Sequence, residues 1–257
     1  MHRSPRPAGL ARAAGAGGMR FDLPAGFAGI RVVGDVHGEA AAFRAAIAGA
    51  EALGLFVLQL GDLTDHGPDA PGALAAMFAL IDRGAGTFLL GNHDHKLRRA
   101  LLGQTVRIEA GGLDLTLGQL ARHPQGAALS ARAVAAIARA PAWLRWREAL
   151  FVHGGFHTAM LSEPAPADAG ARRPDGLVSR ALFGQTAKGQ LTEAGYPVRL
   201  LDWIDHIPAG LTVYCGHDNR SADGRPHVAE GRRGGRAVFL DTGAGKGGHL
   251  SWLDLRA

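Results

Sequence analysis

The chain has 257 residues, which is enough for one sizeable domain with a buried core and too few for two enzyme domains. Its net charge is +5 and 28 of its residues are Lys or Arg, so the surface suits anionic ligands without identifying one. The single cysteine, Cys215, excludes an internal disulfide and a metal cluster built from cysteines.

Apolar runs are short throughout the chain. None approaches the length of about 18 residues that a membrane-spanning helix needs, and the N-terminus lacks the apolar core of an export signal. We therefore expect a cytoplasmic protein with no membrane partner.

The first 20 residues differ in composition from the rest. They are rich in Arg, Ala, Gly and Pro and contain no acidic residue. We predict that residues 1–20 form a disordered basic tail or that translation starts at Met19, in preference to a mitochondrial-type presequence. Residues 21–257 are predicted to form one catalytic domain.

Four apolar runs in the first 152 residues are typical of short buried strands. They are residues 30–33, 55–60, 87–90 and 150–152, and they lead into the signatures GDVHG, GDLTD, GNHD and VHGG. Residues 40–52 and 72–81 have helical spacing, so strands and helices alternate as in a layered α/β fold. Such folds bind ligands at the carboxyl ends of their strands, where the four signatures fall.

The second half of the chain predicts an insertion and a second sheet. Residues 117–146 read as largely helical, with Trp143 and Trp146 in the core, and the Pro/Ala-rich residues 162–173 read as a mobile loop near the site. From residue 211 onward three short runs favour strands. These runs, residues 211–214, 237–240 and 250–253, predict a second sheet that completes a β-sandwich flanked by helices.

The signatures supply side chains that divalent metals accept as ligands. Six candidates offer carboxylate, imidazole or amide donors: Asp35, His37, Asp62, Asn92, His153 and His217. These donors suit Mn²⁺, Fe²⁺ or Zn²⁺, and an Asp can bridge two ions. Each signature alone is ordinary turn chemistry. Their fixed order, each behind a strand-like run, instead indicates a two-metal phosphoesterase site.

These motifs resemble the calcineurin-like metallophosphoesterases, in the branch of phosphoprotein phosphatases and diadenosine tetraphosphate hydrolases. The resemblance covers residues 31–255, and it is strongest to the phosphatase domain of bacterial polynucleotide kinase-phosphatases. That stronger likeness lies in residues 91–101, 181–199, 213–218 and 239–250. The resemblance implies an α/β fold of four layers, in which a β-sandwich of two sheets is flanked by helices.

The resemblance also implies roles for the metal ligands. Asp35 and His37 would hold one metal, and Asp62 would bridge the two. The second metal would be held by Asn92, His153 and His217. Two divalent ions are therefore expected as cofactors, with Mn favoured and Fe or Zn as alternatives.

Other residues match the family's catalytic positions. His93 corresponds to the histidine that binds phosphate or protonates the leaving group, and Asp65 to the aspartate that orients it. Asn92, His93 and His66 are the predicted substrate-binding residues. Asp241 is predicted either to orient a ligand such as His217 or simply to form a turn.

Two positions depart from the family pattern. His66 stands where the family usually has an Arg that grips the substrate phosphate, and an imidazole cannot reproduce the two-pronged guanidinium contact. Asp218 stands where the family usually has Thr or Ser. These changes bear on substrate choice more than on metal binding.

The predicted function is hydrolysis of phosphate esters by a water or hydroxide that two metals activate. Within this class the substrate could be a phosphoprotein, a dinucleoside polyphosphate, or a nucleic-acid end or cyclic phosphodiester. Outside it, the alternative is a metal-bound scaffold protein with weak catalysis. The expected partner is a phosphorylated substrate, nucleic acid stays open, and the oligomeric state is not predicted.

Overall fold

The computed structural model describes residues 20–108, 110–193 and 195–257. The predicted basic tail, residues 1–20, and the alternative start at Met19 lie outside the described residues, except for Arg20. The division into a tail and a single domain therefore stays a prediction.

Strands and helices alternate in the first half of the chain. In order, they are β1 (Gly29–Val33), α1 (Ala40–Ala52), β2 (Leu55–Gln59), α2 (Ala70–Asp82), β3 (Gly86–Phe88) and α3 (Asn92–Leu101). The helices α4 (Leu113–Arg122) and α5 (Gly126–Arg139) follow, and then β4 (Trp143–Trp146) and β5 (Ala149–Val152).

The second half is richer in strands. It contains α6 (Gly176–Phe183), β6 (Gln185–Leu191), β7 (Pro197–Leu200), β8 (Thr212–Cys215), β9 (His227–Glu230), β10 (Arg236–Phe239) and β11 (Trp252–Arg256). Two short 3-10 helices, Thr158–Leu161 and Asp202–His206, connect these elements.

The strands form two main sheets and one hairpin. The first sheet has the order β11-β1-β2-β3, in which β1, β2 and β3 are parallel and β11 is antiparallel to β1. The second has the order β4-β5-β8-β10-β9, with β5, β8 and β10 parallel and an antiparallel strand at each edge. Strands β6 and β7 form the hairpin. Each main sheet therefore has three parallel strands that end on the same side.

The two main sheets enclose an apolar core. Ile30 and Val32 of β1 pack in one buried cluster with Phe151 of β5 and Val238 of β10. Val33 of β1 instead belongs to a second cluster with helix residues such as those of α1 and α2. This alternation follows from the two-residue period of a strand. The predicted fold class, a two-sheet β-sandwich flanked by helices, is confirmed.

The predicted helical insertion is only partly helical. Helices α4 and α5 occupy most of residues 117–139, but residues 143–146 form strand β4. Pro141 follows the end of α5, since a proline cannot continue a helix. Trp143 and Trp146 are buried, as predicted for core residues. Residues 162–173 contain no regular strand or helix, and their mobility stays a prediction.

The prediction for the last strand was wrong. The run at residues 250–253 was expected in the second sheet, but β11 begins at Trp252 and pairs with β1 of the first sheet. Arg31 of β1 makes a two-pronged ion pair with Asp254 of β11, with both N–O distances 2.7 Å. This pair favours the first sheet over the second.

In the part of the chain that the structure describes, no helix is both long and apolar enough to cross a membrane.

Candidate metal centre

The carboxyl ends of the parallel strands bring the predicted metal ligands together. The residues that follow these strands are Asp35 and His37 after β1, Asp62 after β2, Asn92 after β3, His153 after β5 and His217 after β8. Asp35, His37 and Asp62 form one group that could hold a metal ion, and Asp62, His153 and His217 form another. Within each group the ligand atoms lie within 4.8 Å of one another.

Asp62 lies between the two groups. Its Oδ2 is 3.2 Å from Nε2 of His153 and 4.0 Å from Nε2 of His37. Its Oδ1 accepts a hydrogen bond of 2.8 Å from the backbone N–H of His93. Because one oxygen faces histidines from both sheets, the carboxylate has the position that a bridging ligand requires.

Backbone carbonyls orient two of the histidines. Nδ1 of His37 lies 2.9 Å from the carbonyl oxygen of Thr64, and Nδ1 of His153 lies 2.9 Å from that of Leu60. A carbonyl oxygen only accepts, so Nδ1 carries the hydrogen in each ring. This leaves Nε2 as the potential metal donor. Nε2 of His153 is also 3.0 Å from Oδ1 of Asn92.

Glycines allow the loops that carry the potential ligands to approach one another closely. A Cβ at Gly216 would overlap Oδ1 of Asp35, and a Cβ at Gly91 would overlap Oδ1 of Asp62. The next residue, His217, donates its backbone N–H to both oxygens of Asp35 at 3.1 and 3.0 Å. Close backbone approach therefore fixes the direction of both carboxylates.

The loops also hold strained backbone conformations. Among the described residues, six non-glycine residues have a positive φ, and five of them lie in these loops. They are His37, Asp62, Asp65, His66 and His217. Such conformations cost about 1–3 kcal/mol each and concentrate at functional sites.

The buried charges of the site interact strongly with one another. Burial, followed by the charge of Asp241, raises the pKa of Asp35. Burial opposes ionisation of His153, yet the charge of Asp62 and its hydrogen bond raise the pKa of His153 to about 9. The ammonium of Lys246 lies 3.0 Å from Nε2 of His37. The buried donors are all oxygen or nitrogen atoms, and they lie close enough together to attract positive charge. Such a donor set fits divalent metal ions.

His93 and Asp65 form a supported pair beside the ligands. Nδ1 of His93 is 2.5 Å from Oδ2 of Asp65, and the hydroxyl of Thr116 donates to Oδ1 at 2.9 Å. Lys96 is 3.7 Å from the same carboxylate. Burial opposes the charge of Asp65, but the hydrogen bond and charge of His93 lower its pKa. An ionised Asp65 only accepts, so the Nδ1–H of His93 donates and Nε2 stays available.

The two departures from the family pattern have different surroundings. The His66 ring centroid lies 5.0 Å from that of His37 and 5.4 Å from that of His93, so the imidazole borders the site. Burial, followed by the charge of Lys246, lowers the pKa of His66. Asp218 is instead paired with Arg199 at 3.0 Å and with Arg220 at 2.8 Å, so its charge is compensated.

Three residues at the site were not singled out from the sequence. Asp94 accepts backbone N–H groups of Asp62 and Gly91 and so joins the loops after β2 and β3. Its position in GNHD was the available signal. Burial, followed by the charge of Asp62, raises the pKa of Asp94 to about 6. Nothing in the sequence marked Thr116 or Lys246 as neighbours of the predicted ligands, because the fold brings them to the site from distant segments.

Asp241 and Cys215 are buried within electrostatic range of Asp35. Oδ1 of Asp241 accepts the backbone N–H of Gly243 at 2.9 Å, which is the turn contact. Its predicted role in orienting His217 stays a prediction. Cys215 is the last residue of β8 and is fully buried, and burial raises the pKa of its thiol.

Known proteins resemble this chain in sequence. The family model of the calcineurin-like phosphoesterases matches residues 29–176. The asymmetrical bis(5'-nucleosyl)-tetraphosphatase PrpE of Geobacillus thermodenitrificans is 27% identical over 198 residues, which cover 76% of this chain and 73% of that protein. The protein of the same name from Bacillus cereus is 28% identical over 200 residues, with 76% and 73% covered.

Solved structures resemble the chain in fold. A protein provisionally assigned as a diadenosine tetraphosphatase superposes with a TM-score of 0.55 and 20% identity, covering 91% of this chain and 96% of that one. A serine/threonine phosphatase from Saccharomyces cerevisiae has a TM-score of 0.55 and 15% identity, covering 91% and 81%. At these identities the likeness supports the fold alone.

Proposed function

The chain belongs to the calcineurin-like phosphoesterase family, and we propose that within this family it is a two-metal hydrolase of dinucleoside polyphosphates. Membership makes it a metal-dependent phosphoric ester hydrolase. Our proposal concerns the number of metal ions, the identity of the metal and the substrate.

The position of Asp62 carries the proposal of two metals. It belongs to both groups of potential ligands, one with Asp35 and His37 and one with His153 and His217. Asn92 would complete the second group through its side-chain oxygen, which lies next to His153. Manganese is the proposed ion, because all the donors are oxygen or nitrogen and none is a thiolate.

The remaining residues suit binding and proton transfer. Bound divalent ions would lower the pKa of a water molecule to about 7 and compensate phosphoryl charge. Asn92, His93 and His66 would contact the substrate phosphate from the rim of the site. His93, with Asp65 fixing its Nδ1–H, would hold a proton at Nε2 for the departing oxygen.

The sequence relatives favour a dinucleoside polyphosphate as substrate. Two proteins with the tetraphosphatase name match about three quarters of this chain and of their own lengths. A phosphoprotein substrate has support from a fold likeness alone. A nucleic-acid end or cyclic phosphodiester rests on the motif resemblance. We propose that the protein acts in the cytoplasm.

A substrate panel tests this proposal. Protein stripped of metal and reloaded with Mn²⁺ is assayed on diadenosine tetraphosphate, a phosphopeptide, a 3'-phosphate DNA end and a 2',3'-cyclic nucleotide. We expect the highest kcat/KM on diadenosine tetraphosphate. A higher value on another member of the panel would overturn the substrate assignment, and no turnover on any of them would favour the scaffold alternative.

Removal of the metals tests the two-metal site separately. Chelation should abolish activity, and Asp62→Asn should be the most damaging ligand change because it weakens both ions at once. The exposed Asp168→Asn is the control and should leave activity unchanged. Full activity in metal-free protein or in Asp62→Asn would contradict the two-metal account.

A further inference from the structure

A cavity of about 340 Å³ has a basic lining, and part of its wall comes from the chain segment that follows His153. Phe156 and Trp203 are buried in its wall, while His157 and His206 are exposed at its rim. Two arginines, Arg180 and Arg233, complete the charged part of the lining. No carboxylate is among the described residues that line the cavity.

The segments that line the cavity are connected, along the chain or by hydrogen bonds, to the loops that carry His153 and His217. Phe156 and His157 follow His153 in the same loop, and Gly154 donates its N–H to the carbonyl of Ala181 in α6, the helix of Arg180. On another side, Arg199 of β7 donates to the backbone carbonyl of His217 at 2.8 Å, shortly before the 3-10 helix with Trp203. The cavity wall is therefore connected to the two loops that carry His153 and His217.

Arg180 is a half-buried cation without a carboxylate partner in the described part of the chain. Its Nη1 donates to the side-chain oxygen of Gln185 at 3.0 Å and to the carbonyl of Phe156 at 3.5 Å. Burial lowers the pKa of this guanidinium. A positive charge that is partly removed from water and lacks a compensating carboxylate favours an anionic ligand.

The other groups of the lining add hydrogen-bond donors. Nδ1 of His157 accepts the backbone N–H of Ala159 at 3.2 Å, so Nε2 is the ring nitrogen left to carry a hydrogen. Arg233 is exposed and forms no ion pair with a described residue, whereas its neighbour Arg232 is paired with Asp205 at 3.1 Å. Two guanidinium groups and an imidazole donor match the oxygens of a phosphate chain.

We propose that this cavity binds the distal phosphate-bearing half of the substrate, a nucleoside phosphate, while the scissile phosphate lies at the metals. This inference rests on the proposed function, because a dinucleoside polyphosphate has a second nucleotide to accommodate. A volume of about 340 Å³ falls within the range of roughly 300–1,000 Å³ for small-molecule sites. The two arginines then determine the preference for polyphosphates over simple monoesters.

The first test compares two substrates in the Mn²⁺-loaded protein. Diadenosine tetraphosphate would reach both the metals and the cavity, and p-nitrophenyl phosphate would reach only the metals. Arg180→Gln and Arg233→Gln should raise KM for the first substrate by about tenfold, as expected for a lost hydrogen bond to a charged group. They should leave kcat/KM for the second unchanged. Arg122→Gln, an exposed arginine on α4, is the control and should alter neither value.

A second test does not depend on turnover. ADP is titrated calorimetrically into the chelated protein, so that metals contribute nothing to binding. Wild type should bind ADP about tenfold more tightly than either variant, and Arg180→Lys should retain part of the affinity because it keeps the charge. Thermal unfolding of each variant checks that the fold is intact.

The outcomes separate this inference from the proposed function. If diadenosine tetraphosphate is not hydrolysed but ADP binding depends on the two arginines, the proposed substrate is wrong and the anionic cavity stands. If the polyphosphate is hydrolysed, with equal KM in wild type and variants and equal ADP affinity, the cavity assignment is overturned. Equal losses on both substrates would also overturn it, because the arginines would then act on the metal centre.

Discussion

His93 has a geometry that separates its two ring nitrogens by role. Its Nδ1 is held by Asp65, whose other oxygen is held by Thr116, so Nε2 is the nitrogen free to serve a leaving group. A general acid contributes typically about 10²–10⁴-fold, and it contributes less when the leaving group departs readily without a proton. His93→Ala should therefore slow alkyl phosphate hydrolysis more than p-nitrophenyl phosphate hydrolysis.

The measurement is kcat for both esters in the Mn²⁺-loaded variant, together with its metal content. Metal content should equal that of wild type. Equal losses on the two esters would assign His93 to phosphate binding or to structure, since neither of those roles depends on the leaving group.

His66 is the residue with the most direct bearing on substrate charge. Its imidazole borders His37 and His93, where the family usually presents a guanidinium. Each hydrogen bond to a charged group contributes about 1.5–3 kcal/mol. The absence of the guanidinium should therefore weaken binding of a dianionic monoester more than binding of a monoanionic diester. His66→Arg should lower KM for monoesters and raise the monoester-to-diester ratio of kcat/KM.

The comparison uses p-nitrophenyl phosphate and bis(p-nitrophenyl) phosphate, with His66→Gln as the control that removes the imidazole without adding charge. Lys246 bears on the outcome because its ammonium lies 3.0 Å from Nε2 of His37 and can approach the same phosphate. An unchanged ratio in His66→Arg would mean that another cation already fills this position, and the argument from His66 to substrate choice would then fail.

At the scale of single residues, the sequence was informative where side chains follow strands directly. Asp35, Asp62 and His153 could be identified because each closely follows an apolar run and lies within a short signature. Thr116 and Lys246 could not, since they reach the site from a distant helix and loop. Long-range packing, rather than local pattern, determines those contacts.

At the scale of elements, apolar runs predicted most strands and helix α1 with bounds of residues 40–52. They could not predict which sheet a strand joins. The final run at residues 250–253 has no local feature that distinguishes the two sheets, and only the pairing of Arg31 with Asp254 reveals its partner. The spacing of apolar residues indicates which side chains are buried. The sheet that a strand joins depends on distant contacts, such as the Arg31–Asp254 pair, whose residues are 223 positions apart.

The ion pair between β1 and β11 predicts a large effect on stability. Arg31 is 5% exposed, and it donates both to Asp254 and to the carbonyl of Ala46. Asp254→Asn would leave a buried guanidinium without a counter-charge, which costs about 3 kcal/mol or more in the free energy of unfolding. Urea unfolding of the metal-free protein measures this loss.

The double variant Arg31→Met/Asp254→Leu is the matched comparison, because it removes both charges and leaves no buried charge unpaired. It should recover most of the lost stability. The exposed pair of Arg83 and Glu51 provides a control, since Glu51→Gln should change the free energy of unfolding by less than about 1 kcal/mol. A small effect of Asp254→Asn would show that β11 is held by its backbone pairing alone.

At the scale of the whole molecule, the potential metal ligands meet because the two sheets end at the same place. Asp35 and Asp62 come from the first sheet, and His153 and His217 come from the second. Neither sheet alone supplies both groups of ligands. The close approach of the Gly216 backbone to the Asp35 side chain is one of the points where the sheets meet at the site.

This contact makes Gly216→Ala a test of the joint site. The added methyl group would overlap Oδ1 of Asp35 and displace the carboxylate from the position that His217 N–H defines. Metal affinity should fall by about 10–100-fold, the range found when the support of a ligand is disturbed. Metal titration by calorimetry measures the change, and urea unfolding of the metal-free protein measures any loss of stability. Gly118→Ala is the control, because its methyl group would meet only the flexible end of Arg122 at 3.3 Å within α4. If Gly216→Ala binds metal as tightly as Gly118→Ala, the two sheets tolerate a wider separation and Asp35 does not depend on this contact.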